Sequence, residues 1–162
     1  MKSKLKMRGK FHVDHIRNGK VIARYDFPNG IVDEGLDHIL ETEFHEGTPV
    51  TTWYIGLVDN DGWTEFADAD VMNSHSGWTE AEDYDEATRG EWTVGAAAAR
   101  AITNAVTVDF TIDATVTIKG IFITSSSTKG GTAGVLWSTG AFGATVPLND
   151  NDVLKVTYTV SG

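Results

Sequence analysis

Phe11-His-Val-Asp-His-Ile-Arg-Asn-Gly-Lys-Val-Ile-Ala-Arg-Tyr-Asp-Phe27 is the stretch whose reading decides the fold. Two apolar-rich runs, Phe11 to Ile16 and Lys20 to Phe27, flank Arg17-Asn18-Gly19. An Asn-Gly pair in that setting marks a β-hairpin, because both central residues of a type I′ turn need positive φ. Pro28-Asn29-Gly30 is then expected to stop the second strand.

Outward from the hairpin, the same period of two returns in the last third of the chain. Val106, Val108, Phe110 and Ile112 alternate with Thr107, Asp109, Thr111 and Asp113, which describes a half-buried strand. A turn is expected near Asp113–Thr115, since one strand running on to Thr124 would be too long for a domain of this size. Lys119-Gly-Ile-Phe-Ile-Thr124 reads as a strand buried on both sides, Ser125 to Thr132 as a loop, and Val135-Leu-Trp137 as the start of another strand. Asn149-Asp-Asn-Asp152 makes a turn before the alternating Val153-Leu-Lys-Val-Thr-Tyr-Thr-Val160. Short strands separated by turns at near-regular spacing predict a mainly β fold, an antiparallel β-sandwich or partly open barrel.

One helix interrupts this pattern. Leu36, Ile39, Leu40 and Phe44 recur at helical period, Asp33 and Glu34 suit a helix start, and Gly47 with Pro49 closes it. A short helix over about 33–45 is expected, with its apolar stripe laid against a sheet. Thr51 to Val58 reads as a buried strand. Between Asp59 and Ala99 the chain is acidic, aromatic and poorly periodic, with Gly62-Trp-Thr-Glu65 echoed by Gly77-Trp-Thr-Glu80. Two copies of a tetrapeptide do not make a repeat architecture. Trp63, Trp78 and Trp92 argue for an ordered excursion packed on the sheet or on a neighbouring subunit. The organisation expected is a basic N-terminal arm over 1–10, followed by a single β-rich domain over 11–162 that carries the excursion.

The 162 residues suffice to bury a core, and there is no cysteine to form a disulfide or a thiolate metal site. No apolar run approaches the roughly 20 residues of a membrane helix. Met1 to Lys10 is basic without an apolar stretch behind it, unlike a secretory signal, so a soluble protein made in the cytoplasm is expected. The net charge of −10 conceals an asymmetry. Residues 1–24 carry eight basic side chains against Asp14 alone, a charge of +7, whereas residues 61–91 carry −9. Such blocks suit contacts between copies or docking onto a charged surface, and otherwise serve as solvated faces. The basic arm lacks the interleaved aromatics of a nucleic-acid binder, and the remainder of the chain would repel phosphate.

Chemistry is hard to place on this sequence. His38 and His45 share a helix face two turns apart, and His12 and His15 fall on opposite faces of a strand, so the histidines read as surface residues and no metal is expected. Asp59-Asn-Asp-Gly62 has its glycine two positions early for an EF-hand. No nucleophile motif of the Gly-x-Ser-x-Gly kind is present, and the carboxylates of Glu80 to Glu86 are too abundant to single out a pair. No enzyme activity and no cofactor are expected.

Taken together, Asn29-Gly-Ile-Val-Asp-Glu-Gly-Leu-Asp-His-Ile-Leu40, Thr51-Thr-Trp-Tyr-Ile-Gly-Leu-Val-Asp-Asn60, Tyr84-Asp-Glu-Ala-Thr-Arg89, Gly120 to Gly131 and Asp152 to Val160 resemble small proteins encoded in the structural modules of tailed phages. The resemblance spans roughly residues 8–161. It implies a non-enzymatic virion structural protein, first of all a capsid decoration (cement) subunit that binds and stabilises the assembled head. The partners implied are the major capsid protein and further copies in a homo-oligomer, and the place is the capsid surface of the virion. A tail or baseplate subunit is the alternative within that class. The tryptophan-rich loop raises a carbohydrate- or cell-surface-binding module as another. The candidate interface residues are the cations Lys2, Lys4, Lys6 and Arg8 and the anchors Trp63, Trp78 and Trp92.

Overall fold

The computed structural model describes residues 6–162. Strands β1 (Arg8–Arg17) and β2 (Lys20–Ile31) form the expected hairpin, with Asn18 at φ 50° and Gly19 at φ 72°. Helix α1 (Asp33–Phe44) follows, then β3 (Tyr54–Asp59). The excursion contributes β4 (Glu80–Ala81), β5 (Gly90–Glu91) and β6 (Ala101–Thr103). The long strands β8 (Val116–Thr124), β9 (Leu136–Leu148) and β10 (Val153–Ser161) come after β7 (Val108–Thr111). All ten strands join one antiparallel sheet in the order β4-β3-β8-β9-β2-β1-β10-β6, with β5 beside β3 and β7 beside β10. The sheet curls into a half-barrel with a single helix, a mainly β fold of the open-barrel kind.

Two sequence boundaries move. Arg8, Gly9 and Lys10 are not part of an arm: they pair with Ser161, Val160 and Thr159 and extend β1. Pro28-Asn29-Gly30 does not end β2 either. The strand parts from β1 after Asn29, and Gly30 and Ile31 pair instead with Thr139 and Ser138 of β9. Proline and glycine mark a change of partner here because the chain bends between two neighbours without leaving the sheet.

That change of partner makes a narrow seam, two residue pairs long, between the two halves of the sheet. Tyr158 holds it. Its hydroxyl accepts hydrogen bonds from Asn29 Nδ2 (2.7 Å) at the end of β2 and from Trp137 Nε1 (2.9 Å) at the start of β9. Its ring packs on Phe11, which in turn meets Phe27. A wide bulge in β9 tightens the curl: Phe142 to Thr145 stand opposite Lys119 alone, and the Phe142 ring turns in against Phe27 and Tyr25.

The excursion then laces the two open edges together. Glu80–Ala81 pairs with β3, Tyr84 bridges to Ile112 just beyond β7, Gly90–Glu91 returns to β3, and Val94 bridges to Asn104 beside β6. Its residues also cover the outer face of the sheet. Trp78 and Met72 pack there with Val58, Phe122 and Leu136 as a second core, separate from the one inside the half-barrel. This is why β8 is buried on both sides, as its sequence suggested.

Charged groups act as internal ties. Asp152, 1% exposed, accepts from Arg17 Nε (2.8 Å) and Nη2 (2.7 Å), from His15 Nε2 (2.7 Å) and from the Asn149 backbone N–H (2.9 Å). His15 is therefore a core residue and not the surface histidine its position suggested. Arg89 is buried as well. It forms a two-pronged pair with Glu80 and donates to the carbonyls of Ser126 and Gly131, fixing the 125–132 loop to the excursion.

Two outcomes follow for stability. Tyr158→Phe strands the buried Trp137 N–H and the part-buried Asn29 amide across the seam and is expected to cost about 1–3 kcal/mol in urea unfolding. The second concerns Asp152, whose hydrogen bonds, that from Arg17 foremost, hold its carboxyl well below the ordinary range. A depressed carboxylate adds stability above its unfolded pKa of about 4, and that contribution fades as pH falls through the folded value. Asp152→Asn should accordingly lose about 2–3 kcal/mol at pH 7, and the gap to the native protein should narrow below pH 4. Unfolding curves at pH 7, 4 and 3 measure both quantities.

Candidate interaction surface

Helix α1 meets the barrel through its small side. The first turn is pinned by two main-chain bonds, Val32 N–H to Trp137 O (3.1 Å) and Asp33 N–H to Asp68 O (2.8 Å), and by the Glu34 carboxylate, whose Oε2 accepts from Leu136 N–H (2.7 Å). Gly35 lies buried against Trp137, and a Cβ there would come within 2.5 Å of the Trp137 carbonyl oxygen. His38 sets its ring edge against Trp53, and Ile39 is half-buried on the core. The row 35-38-39-42 thus faces inward.

The large apolar row consequently faces out. Leu36 is 40%, Leu40 55% and Phe44 83% exposed. The sequence periodicity identifies the helix correctly, but of the stripe it singles out only Ile39 packs on the core, while Leu36, Leu40 and Phe44 face solvent. Only a residue without a side chain fits the gap over Trp137, so Gly35 sets the rotation of the helix. Gly35 in the first turn of an acidic helix was the signal available in the sequence for this rotation.

Two concavities border α1. On the β1 side, an apolar cleft runs between Met7, Ile31, Leu36 and Leu40, with Lys6 and Arg8 on its rim. On the other side, a cavity of about 370 Å³ opens at the barrel mouth, walled by Trp53, Trp92, Trp137, Ile102 and Val160. Two of its tryptophan N–H groups are already engaged: Trp92 donates to Asn104 Oδ1 (2.8 Å) and Trp137 to Tyr158.

The residues expected at an interface are dispersed. Lys2 and Lys4 lie outside the described residues. Lys6 and Arg8 are exposed beside the cleft, and neither enters an ion pair among the described residues. Trp78 (2% exposed) and Trp92 (8%) are core residues and present no surface to a partner. Trp78 donates to Asp70 Oδ2 (3.0 Å) and stacks on His75, since a large ring on the outer sheet face is stabilised most by being covered. Trp63 is half-buried, with Lys119 Nζ 4.9 Å above its ring. Part of the acidic run is engaged locally. Glu80 binds Arg89, Glu86 accepts from the Thr111 N–H, and Asp59 caps its own turn at Asp61 N–H (2.8 Å). Among the described residues, no cluster of three or more His, Asp or Glu is arranged to hold a metal ion.

No protein-family model matches the chain, and no curated protein sequence matches it.

Gly35→Ala tests what sets the rotation of α1. Alanine raises helix propensity by about 1 kcal/mol, but the backbone oxygen of Trp137 cannot yield to the added methyl as a flexible side chain could. A net loss of about 1–3 kcal/mol in urea unfolding is expected, where an exposed helix position would gain.

Proposed function

We propose that this protein is a non-enzymatic structural subunit of a tailed-phage virion, and within that class a capsid decoration subunit that binds and stabilises the assembled head. The observation that carries the reading is the outward apolar row of α1: Leu36, Leu40 and Phe44 form one ridge on a rigid half-barrel, whereas the other exposed large apolar side chains, Val21, Ile22, Val94 and Val106, lie on other segments. Exposed apolar surface rimmed by charge marks a site of association. Supporting it, the buried ionic groups are spent on internal ties, and the half-barrel offers a stiff platform stitched by its own excursion. The resemblance to phage structural-module proteins supplies the particle. A sugar-binding reading draws less support, because Trp78 and Trp92 are turned inward and Lys119 covers one face of Trp63.

Co-sedimentation of the purified protein with separated heads and tails of the parent phage tests this. Saturable binding to expanded heads is expected. Binding to tails alone would move the protein to the tail or baseplate, and binding to neither would sink the virion reading.

A further inference from the structure

The outward row of α1 has features that select its occupant. It is a single ridge of i, i+4 and i+8 residues, so Leu36 and Phe44 lie about 12 Å apart with Leu40 midway. The helix is acidic at both ends of the ridge, with Asp33, Glu34 and Asp37 near Leu36, but only the Leu36 end adjoins cations. At the C-terminal end, Phe44 stands among Glu41, Glu43 and Glu46, no basic residue occupies the last turn, and the helix dipole adds negative potential. Beside Leu36 at the other end, the apolar cleft is rimmed by the cations Lys6 and Arg8. Among the described residues, Lys6, Arg8, Glu43 and Glu46 form no ion pair, and Glu41 pairs only with His45. One molecule therefore carries both an acid-rimmed aromatic knob and a base-rimmed apolar cleft.

We infer that a second copy of this chain covers the face, the two α1 helices packing antiparallel about a two-fold axis at Leu40, with Phe44 of each copy seated in the Lys6/Arg8-rimmed cleft beside Leu36 of the other. An antiparallel two-fold keeps the β1-facing flanks of both helices on the same side. Ile39 lines the cleft from α1, and Glu43 is one turn further along the same row. Glu43 of one copy thus lies level with Leu36 of the other, on the side that bears Lys6 and Arg8. The contact is isologous, so it closes on itself as a dimer and does not propagate as a fibre. It is also small. One face of a 12-residue helix and a shallow cleft fall at the low end of interface sizes, and a dissociation constant of roughly 10–100 µM is expected.

The inference rests on reading the chain as an assembly subunit, but its test uses the purified full chain without any phage particle. Failure here and failure of head binding are therefore separate results. Sedimentation velocity over a concentration series should show the mass rising from 17.5 kDa towards that of a dimer, more weakly at high salt. Phe44→Glu and Leu40→Glu, both at exposed positions, should weaken dimerisation at least about tenfold without lowering the melting temperature. Arg8→Glu and Glu43→Lys should each weaken it, and the double variant should restore it, because the pair joins one copy to the other. A protein that stays monomeric at concentrations well above that range would overturn the proposal. So would a dimer indifferent to Phe44 and Leu40, or charge-reversal variants that do not rescue one another.

Discussion

The sheet can curl only if its two halves are held at a seam two residue pairs long, and the Tyr158 hydroxyl is the group that holds it. Asn29 and Trp137 approach from opposite sides and both donate to that one oxygen. Burial raises the Tyr158 pKa, so the hydroxyl keeps its proton and remains a neutral acceptor within the core. From this point the geometry propagates. The curl brings the β3 edge towards the β6–β7 edge, and the excursion can then reach both with short strands and single bridges. An excursion of that length without regular structure would otherwise be mobile, but here it serves as the closing strap of a half-barrel.

Several of the carboxylates that make the chain acidic are cross-links. Asp152 ties the β9–β10 turn to β1, Glu80 ties the excursion to Arg89, Asp70 holds the Trp78 indole, and Glu34 caps the start of β9. Asp152 and Glu34 join elements distant in sequence, Glu80 and Asp70 tie the excursion to itself, and all four do so through charge-assisted hydrogen bonds, the strongest kind a small domain has without disulfides or metal. Cross-links of this type make folding sensitive to acid. Among the described residues, charges without an ion pair also stand around α1, where Lys6 and Arg8 rim apolar surface.

That placement connects fold to use. Rotating α1 by half a turn would bury Leu36, Leu40 and Phe44 and expose Gly35, and the molecule would lose its one continuous apolar ridge. Gly35 against Trp137 prevents this. The barrel-mouth cavity on the far side of the helix is lined by aromatic groups, of which Trp92 and Trp137 are held in place by hydrogen bonds from their N–H groups.

The sequence by itself determined the elements whose residues answer to local rules. The Asn18-Gly19 turn, the alternation of β10, the break before Val116 and the existence of α1 each follow from backbone sterics or from a period of two or 3.6, and all stand where the residues put them. Tertiary structure decided everything that depends on which surface lies opposite. It carried β2 through Pro28-Asn29-Gly30 because a second partner strand was waiting; it buried His15 and Trp92 against acceptors far along the chain, Asp152 and the Tyr158 carbonyl, and Trp78 against Phe122 of β8. It also turned the apolar row of α1 outward. Periodicity gives the angle between side chains around a helix, but the direction of the whole set is fixed by contacts such as Gly35 on Trp137, more than a hundred residues apart.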